Sequence, residues 1–325
     1  MRALVCKAFG PPESLVIEDV DAPTPGEKQI LIDVHAAGIN FPDLLIFAGK
    51  YQVRFEPPFI PGYEAAGTVA AVGDGVTRYR PGDRVITSPM GGGFAEQLVV
   101  DEAQAFRLPE ALSFEQGAGF PITYCTSYHA LKQCAGIKAG ESLLVLGAAG
   151  GVGTTAVQLG KAMGARVIAA AGSADKLAFA RSVGADDEIN YTTESLKEAV
   201  RNLTDGKGAD VVYDPVGGDL AEQALRATAW HGRYLVVGFA SGEIPRFPGN
   251  LALLKEASII GVFWGQWAAT DPAGHLANLG EMLELIEDGQ IVPRITASYP
   301  LEDYVRAYDD VANRRIRGKT VFILR

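Results

Sequence analysis

Residues 143–165 constrain the fold most, because an apolar strand, a glycine-rich turn and a helix follow one another directly in LLVLGAAGGVGTTAVQLGKAMGA. Ala148, Gly150 and Gly153 occupy the G-x-G-x-x-G spacing, with alanine in the first position. Small residues there allow a tight turn, a close approach of the backbone to a pyrophosphate, and packing of helix on strand. The N–H groups and dipole at the helix start favour phosphate. A second strand, ARVIAAAG, follows, so the pattern favours a dinucleotide site over a turn without ligand. The predicted contacts are Ala148, Gly150, Gly151, Val152 and Gly153.

The end of the second strand distinguishes the two nicotinamide cofactors. An acid there would bond the ribose hydroxyls of NAD and repel the extra phosphate of NADP. Gly172 and Ser173 instead leave room and a hydroxyl, and Lys176 can pair with phosphate as a point charge. Asp175 would oppose this interpretation if it faced the pocket, but we expect it in the first turn of the next helix, where an acid is favourable. The sequence predicts NADPH, although a solvated Lys176 is the alternative.

The pattern of elements changes near Pro121. Before it, short β-branched runs are broken by Gly and Pro, which predicts an irregular β domain. After it, apolar strands alternate with helical patterns, which predicts βαβ units and a parallel sheet covered on both faces. The length of 325 residues also favours two domains. We therefore expect an α/β chain in which a doubly wound parallel sheet accompanies a β domain.

Composition limits the partners. The net charge of −10 opposes binding to nucleic acid and to anionic membranes, so a small molecule is the expected partner. The N-terminal sequence turns polar at once, without the apolar run of a signal peptide or membrane anchor. Cys6, Cys125 and Cys134 are too scattered for a disulfide framework. We expect a cytoplasmic protein.

Several segments, spread over nearly the whole chain and found in the same order, resemble those of one superfamily. They are GINFPDLLIFAGKY (38–51), PGYEAAGTVAAVG (61–73), PGDRV (81–85), residues 147–165, DPVGG (214–218), VGFASG (237–242) and the closing RGKTVFIL. In these the chain resembles the medium-chain dehydrogenase/reductase superfamily, and within it the quinone oxidoreductase branch that includes zeta-crystallin.

The resemblance implies a GroES-like β-barrel domain made of residues 1–121 and 266–325, with a Rossmann domain at 122–265 inserted between. It also implies that the nicotinamide lies in a cleft between the domains, and that two Rossmann domains form a homodimer. Gly172, Lys176 and Tyr191 would surround the 2′-phosphate. Further cofactor contacts would come from Thr123, Gly238 and Phe239, with a helix cap as the alternative for Thr123.

Zinc-dependent relatives carry a Cys and a His where this chain has Asn40 and Tyr63, and residues 86–100 contain no Cys for a structural zinc lobe. Cys125 and His129 are four residues apart on a possible helix, but two unsupported ligands are more often packing residues. We therefore expect no metal.

Without metal, the protein has to align the acceptor and stabilise the charge that develops on it. By the resemblance, Asn40, Asp43 and Tyr51 lie near the nicotinamide: Asn40 offers an amide, and Tyr51 a phenol that can bond or protonate. The alternatives are a structural cap or ion pair for Asp43 and a packed aromatic for Tyr51. Glu64 is expected to anchor the cleft, without a catalytic role.

The expected function is therefore NADPH-dependent reduction of quinones or related conjugated enones. An enoyl-thioester reductase is the closest alternative, for which Arg54 and Arg246 would meet the phosphates of the thioester carrier. A nucleotide-binding protein with structural or RNA-binding duties is the alternative from another class. We expect the homodimer to form through the apolar strand 258–264, because an exposed apolar edge invites pairing.

Overall fold

The structure is a computed structural model that describes residues 1–53 and 55–325. The chain forms two compact units. The β unit consists of Met1–Ile122 and Pro293–Arg325, and the nucleotide unit of Thr123–Val292.

The strands, in chain order, are β1 (Arg2–Val5), β2 (Val16–Asp19), β3 (Gln29–Ile39), β4 (Ala65–Val72), β5 (Arg84–Thr87), β6 (Gln97–Asp101), β7 (Ala105–Arg107), β8 (Ser142–Leu146), β9 (Arg166–Ala171), β10 (Asp187–Asn190), β11 (Ala209–Asp214), β12 (Thr228–Val236), β13 (Ser258–Gly261), β14 (Ile295–Pro300) and β15 (Lys319–Ile323). The α-helices are α1 (Phe41–Phe47), α2 (Phe114–Ala118), α3 (Pro121–His129), α4 (Gly151–Ala162), α5 (Ala174–Ser182), α6 (Leu196–Leu203), α7 (Asp219–Ala227), α8 (Gly249–Lys255), α9 (Trp264–Thr270), α10 (Pro272–Glu287) and α11 (Tyr304–Ala312).

The main sheet of the β unit has the strand order β14-β15-β3-β4-β5-β7, with β6 also paired to β3. Its pairs are antiparallel except for β14 with β15. The first residues of β3 alternate between half-buried and buried, as a strand with one core face requires, and Ile30, Ile32 and Val34 point into the core. Because β15 returns from the end of the chain to pair with β3, distant segments meet at the end of β3.

The nucleotide unit contains a six-stranded, wholly parallel sheet in the order β10-β9-β8-β11-β12-β13. All residues of β8 are buried, which is typical of a strand covered on both faces. The order of strands reverses between β8 and β11, and ligands bind beyond the carboxyl ends of strands at such a point. This sheet confirms the predicted Rossmann fold class with a separate β unit.

Two predicted boundaries differ from the structure. The nucleotide unit was expected to end at residue 265, yet it continues to Val292. The reason is that α10 packs within this unit, where Lys132 Nζ lies 2.5 Å from Glu281 Oε2. The apolar strand expected over 258–264 ends at Gly261, and Trp264 begins α9 instead. Within the described residues, none of the helices combines the length and apolar character needed to cross a bilayer.

Candidate functional site

The turn from β8 to α4 depends on two glycines. Gly147 has a φ of +58°, and a Cβ there would lie 2.9 Å from Val216 Cγ2. A Cβ on Gly153 would lie 2.2 Å from the carbonyl oxygen of Gly147, so only glycine lets the helix approach the turn this closely. Ala148 is fully buried between them. Gly147 was absent from the predicted contacts, although its position directly after the strand was the available signal.

The N-terminus of α4 fits a pyrophosphate. Gly150 is the N-cap residue and offers no side chain to cap the helix, and no acid occupies the first turn. The first N–H groups of a helix, here those of Gly151, Val152 and Gly153, lack carbonyl partners within it. They are therefore available to an anion at the carboxyl edge of the sheet.

The end of β9 gathers the residues predicted to distinguish the cofactors. A Cβ on Gly172 would lie 3.3 Å from the Tyr191 hydroxyl oxygen. Ser173 caps α5, and its Oγ accepts a hydrogen bond from the Lys176 N–H at 3.4 Å. Asp175 is exposed in the first turn of α5, as expected. Lys176 is half-buried and has no ion-pair partner among the described residues. Gly172, Ser173, Lys176 and Tyr191 therefore lie together at and after the end of β9, and this set, predicted to surround the 2′-phosphate, is called the 2′ group.

Asp214, at the end of β11, holds the loop that follows this strand through hydrogen bonds. Its Oδ1 accepts hydrogen bonds from the N–H groups of Val216 at 2.7 Å and Gly217 at 2.9 Å. The Tyr234 hydroxyl donates to Oδ2 at 2.5 Å. Burial raises the pKa of the Asp214 carboxyl. Sequence reasoning did not identify this anchor, although the DPVGG segment was recognised.

Gly238 and Phe239 lie beside that anchored loop. The Gly238 N–H donates to the Asp214 carbonyl oxygen at 3.3 Å. A Cβ on Gly217 would lie 3.1 Å from Phe239 Cδ1. Thr123 is buried in α3 as its third residue, which excludes the cap alternative, and its carbonyl oxygen accepts from the Thr155 hydroxyl at 3.0 Å.

Asp43 occupies the first turn of α1 in the β unit and is fully buried. Its Oδ2 accepts from the Asn40 N–H at 2.8 Å and from the Tyr308 hydroxyl at 2.9 Å. Its Oδ1 has no partner in the part of the chain that the structure describes. Burial raises the pKa of Asp43 to about 7. Asp43 therefore caps α1, as the structural alternative predicted, and its Oδ1 has no hydrogen-bond partner among the described residues.

The Asn40 side chain differs from the free amide that was expected. Its Nδ2 donates to Glu64 Oε1 at 2.8 Å, and its Oδ1 accepts from Lys319 Nζ at 2.6 Å. Glu64 Oε2 also accepts from the Ile122 N–H at 2.9 Å. The Asn40 amide nitrogen carries a second N–H besides the one that Glu64 accepts. Sequence reasoning did not assign Lys319, because its contact with Asn40 spans most of the chain.

Two tyrosines accompany these residues. The hydroxyl of Tyr63 is buried and lacks a partner among the described residues, and its ring centroid lies 5.5 Å from that of Phe55. Burial raises the pKa of Tyr63, and the charges of Asp43 and Tyr51 add to the increase. Tyr51 is half-buried, and burial together with the Asp43 charge raises its pKa. The predicted residues Asn40, Asp43 and Tyr51 therefore form one group with Tyr63, the polar cluster, which is linked by the Asn40–Asp43 hydrogen bond and by the effect of the Asp43 charge on both tyrosines.

No group of three or more potential metal ligands occurs in residues 1–53 and 55–325. Cys125 and His129 both lie in α3, where His129 stacks on Trp267 with ring centroids 4.4 Å apart. His129 Nε2 lies 3.4 Å from Cys134 Sγ. Of the two arginines considered for a thioester carrier, Arg246 is exposed and Arg54 lies outside the described residues.

Comparison with known proteins identifies the family. Residues 26–110 match the family described as alcohol dehydrogenase GroES-like domain, and residues 151–279 match that described as zinc-binding dehydrogenase. A quinone oxidoreductase-like protein 2 homolog of Nematostella vectensis is 40% identical, covering 98% of this chain and 88% of that protein. The quinone oxidoreductase of Homo sapiens is 34% identical, covering 100% and 98%.

Among solved structures, the Escherichia coli quinone oxidoreductase complexed with NADPH has a TM-score of 0.93 and 32% identity, and the match covers 100% of both chains. The β unit is accordingly a GroES-like domain, and the nucleotide unit a Rossmann domain. This chain belongs to the medium-chain dehydrogenase/reductase superfamily and, within it, to the quinone oxidoreductase family.

Proposed function

We propose that this chain is an NADPH-dependent oxidoreductase that reduces quinones or related conjugated enones. The observation that carries the proposal is the 2′ group at the end of β9, where Lys176 lacks an ion-pair partner among the described residues and the acid Asp175 lies in the helix. A lysine placed there favours a phosphate, whereas an acid would favour the hydroxyls of NAD. The NADPH complex of the Escherichia coli relative supports the same cofactor.

Each part of the cofactor has residues that would hold it. The first N–H groups of α4 would bind the pyrophosphate, and the 2′ group would bind the 2′-phosphate. Thr123, Gly238 and Phe239 would contact the remaining parts. When bound, reduced nicotinamide supplies a hydride. The protein then has to exclude water and to stabilise the negative charge that forms on the acceptor oxygen.

The names of the relatives and the polar cluster support this acceptor class. Relatives of high coverage are named quinone oxidoreductase or quinone oxidoreductase-like protein. The Asp43 charge acts on the hydroxyl groups of Tyr51 and Tyr63 and helps to raise the pKa of both, and protonated phenols of this kind suit an oxygen that becomes anionic. The half-buried ring of Phe55 beside Tyr63 suits a planar conjugated acceptor.

We also propose that the reaction needs no metal. At the positions where zinc-dependent relatives carry Cys and His, Asn40 Oδ1 accepts from the Lys319 ammonium and Tyr63 presents a phenol with a raised pKa. Neither group is a ligand that zinc prefers. A homodimer joined through the edge of β13, in the cytoplasm, completes the proposal.

Steady-state oxidation of NADPH and NADH with a panel of quinones, enones and enoyl thioesters tests the function. The expected result is turnover of quinones with NADPH, unchanged after treatment with a chelator. Preferential turnover of enoyl thioesters would support the alternative reductase, and cofactor binding without turnover of any acceptor would support a non-enzymatic role. Stoichiometric zinc, with loss of turnover after chelation, would overturn the metal-free proposal.

A further inference from the structure

The Tyr63 hydroxyl is exceptional among the buried tyrosine hydroxyls of this chain. Tyr79 donates to the Ala105 carbonyl oxygen, Tyr213 bonds Ser127, Tyr234 donates to Asp214, and Tyr308 donates to Asp43. Tyr63 has no such partner among the described residues, although its hydroxyl oxygen is shielded from solvent. Because an unsatisfied buried hydroxyl is costly, its persistence calls for a ligand or a functional reason.

The neighbours of Tyr63 restrain its backbone and its ring. Gly62 has a φ of +98°, and a Cβ there would lie 2.5 Å from the Phe94 nitrogen, so the backbone packs too closely for any other residue. The Tyr63 carbonyl oxygen accepts from Ser88 Oγ at 2.9 Å. Phe55 also packs against the Tyr63 ring. These contacts restrain the backbone and the ring that carry the hydroxyl.

None of the described residues around Tyr63 accepts a hydrogen bond from this hydroxyl. The Asp43 charge acts on both Tyr63 and Tyr51, which places the three in one electrostatic environment. Asp43 Oδ1 is also without a partner in the described residues, so it does not satisfy the Tyr63 hydroxyl. A protonated phenol in a dry site is a hydrogen-bond donor that matches a carbonyl oxygen.

We infer that Tyr63 is a catalytic residue whose hydroxyl donates a hydrogen bond to the carbonyl oxygen of the acceptor. This inference rests on the proposed function. A quinone that accepts a hydride from reduced nicotinamide becomes a hydroquinone monoanion, while the nicotinamide is oxidised. Water then supplies the proton that completes the hydroquinone. Tyr63 stabilises the oxygen on which the negative charge develops, at a position where zinc-dependent relatives hold a metal ligand.

The test compares wild type with Tyr63→Phe, which keeps the ring and removes only the hydroxyl. We expect kcat/KM for quinones to fall by about 10- to 100-fold, the range for loss of a hydrogen bond to a developing charge. The Kd for NADPH should stay within about twofold. The melting temperature should not fall, because no protein partner loses a bond. Tyr79→Phe is the matched control: it should lower the melting temperature and leave kcat/KM unchanged.

An equilibrium measurement separates this inference from the proposed function. 4-Nitrophenolate mimics the hydroquinone monoanion, and its binding in the presence of NADP⁺ is followed by its absorption. We expect Tyr63→Phe to weaken this binding by about 10-fold or more. Absence of quinone turnover in wild type would reject the proposed function, while the phenolate still tests Tyr63. Equal phenolate binding by both proteins, or no binding by wild type, overturns the inference. So does a lower melting temperature with unchanged kcat/KM, which indicates a water-mediated structural bond.

Discussion

The Lys319 ammonium lies 2.6 Å from the Glu64 carboxylate, and the two side chains are 7% and 0% exposed. Lys319 begins β15, and Glu64 directly precedes β4. Both strands pair with β3, so the ion pair links the two strands that flank β3 at one end of the sheet. A Cβ on Gly38 would lie 2.2 Å from Glu64 Oε1, so a residue without a side chain makes room for the buried carboxylate.

Breaking this pair should destabilise the protein strongly. Either Glu64→Gln or Lys319→Met leaves one buried charge without its partner, which typically costs about 3–5 kcal/mol in the free energy of unfolding. The double variant should lose less than the sum of the single variants. Urea denaturation measures these differences. Lys7→Met is the control, because the pair of Lys7 with Glu18 is exposed and should contribute little. Additive single losses would contradict the coupling.

The same contacts show what the sequence could predict. The β8–α4 turn was predictable because strand, glycines and helix are adjacent in the chain, so local constraints determine it. The hydrogen bonds of the Asn40 side chain were not predictable, because its amide is held by Glu64 and by Lys319, residues whose positions depend on strand pairing. For the same reason α10 gave a clear helical pattern without revealing which unit it packs against.

Asp43 should make stability depend on pH. Burial raises its pKa from 3.8 to about 7. Between these values the folded protein holds a proton that the unfolded chain has released, so the unfolding free energy falls as pH rises. The contribution is complete below about pH 4 and is lost as the pH rises through about 7; the total is on the order of 4 kcal/mol.

Asp43→Asn removes this titration and retains an oxygen that accepts from Asn40 and Tyr308. We therefore expect the unfolding free energy of wild type to fall relative to that of the variant as the pH rises from about 4 to about 7. Asp74→Asn, at an exposed loop position, should follow the wild-type curve. A constant difference across the range would show that the buried carboxyl does not titrate there.

Lys176→Ala should weaken the binding of NADPH and leave the binding of NADH nearly unchanged. A hydrogen bond to a charged group contributes about 1.5–3 kcal/mol, so the Kd for NADPH should rise by roughly 10- to 150-fold. Titration calorimetry with each cofactor provides the comparison. Lys207→Ala is the matched control, since Lys207 is an exposed lysine before β11, at the opposite end of the parallel strands. Equal losses for NADPH and NADH would refute the phosphate role of Lys176.

The edge of β13 should carry the dimer. This strand is the last in its sheet and pairs with β12 on one side. Ile259 and Phe263 are 38% and 53% exposed, and Trp230 of β12 is 59% exposed. An apolar edge of this kind is protected when a second copy pairs with it. We expect a dimer by sedimentation equilibrium.

Ile259→Asp tests that interface, because a carboxylate buried between two copies lacks a partner. The variant should sediment as a folded monomer, with an unchanged circular dichroism spectrum. Leu276→Asp places the same charge on an exposed apolar position of α10 and should leave the mass unchanged. A monomeric wild type at micromolar concentration would contradict the prediction, as would an unaltered mass for Ile259→Asp.

Tyr51 tests which acceptor the protein serves. A quinone that has received a hydride is a stabilised anion, and water can protonate its oxygen. An enoyl thioester becomes an enolate that must be protonated, for which a positioned general acid typically contributes about 10²–10⁴-fold. Tyr51 is half-buried, and burial together with the Asp43 charge raises its pKa, so it remains a protonated donor at neutral pH.

Tyr51→Phe keeps the ring and therefore tests chemistry rather than packing. If quinones are the acceptors, kcat should fall by less than about tenfold, because Tyr63 supplies the main hydrogen bond and solvent supplies the proton. A loss of about 10²–10⁴-fold on an enoyl thioester would favour the thioester reductase. Parallel measurements on both substrates, with Tyr63→Phe alongside, separate an oxygen-binding phenol from a proton donor. An unchanged kcat with every acceptor would make Tyr51 a packing residue, because a hydroxyl that contacts the reacting oxygen cannot be removed without cost.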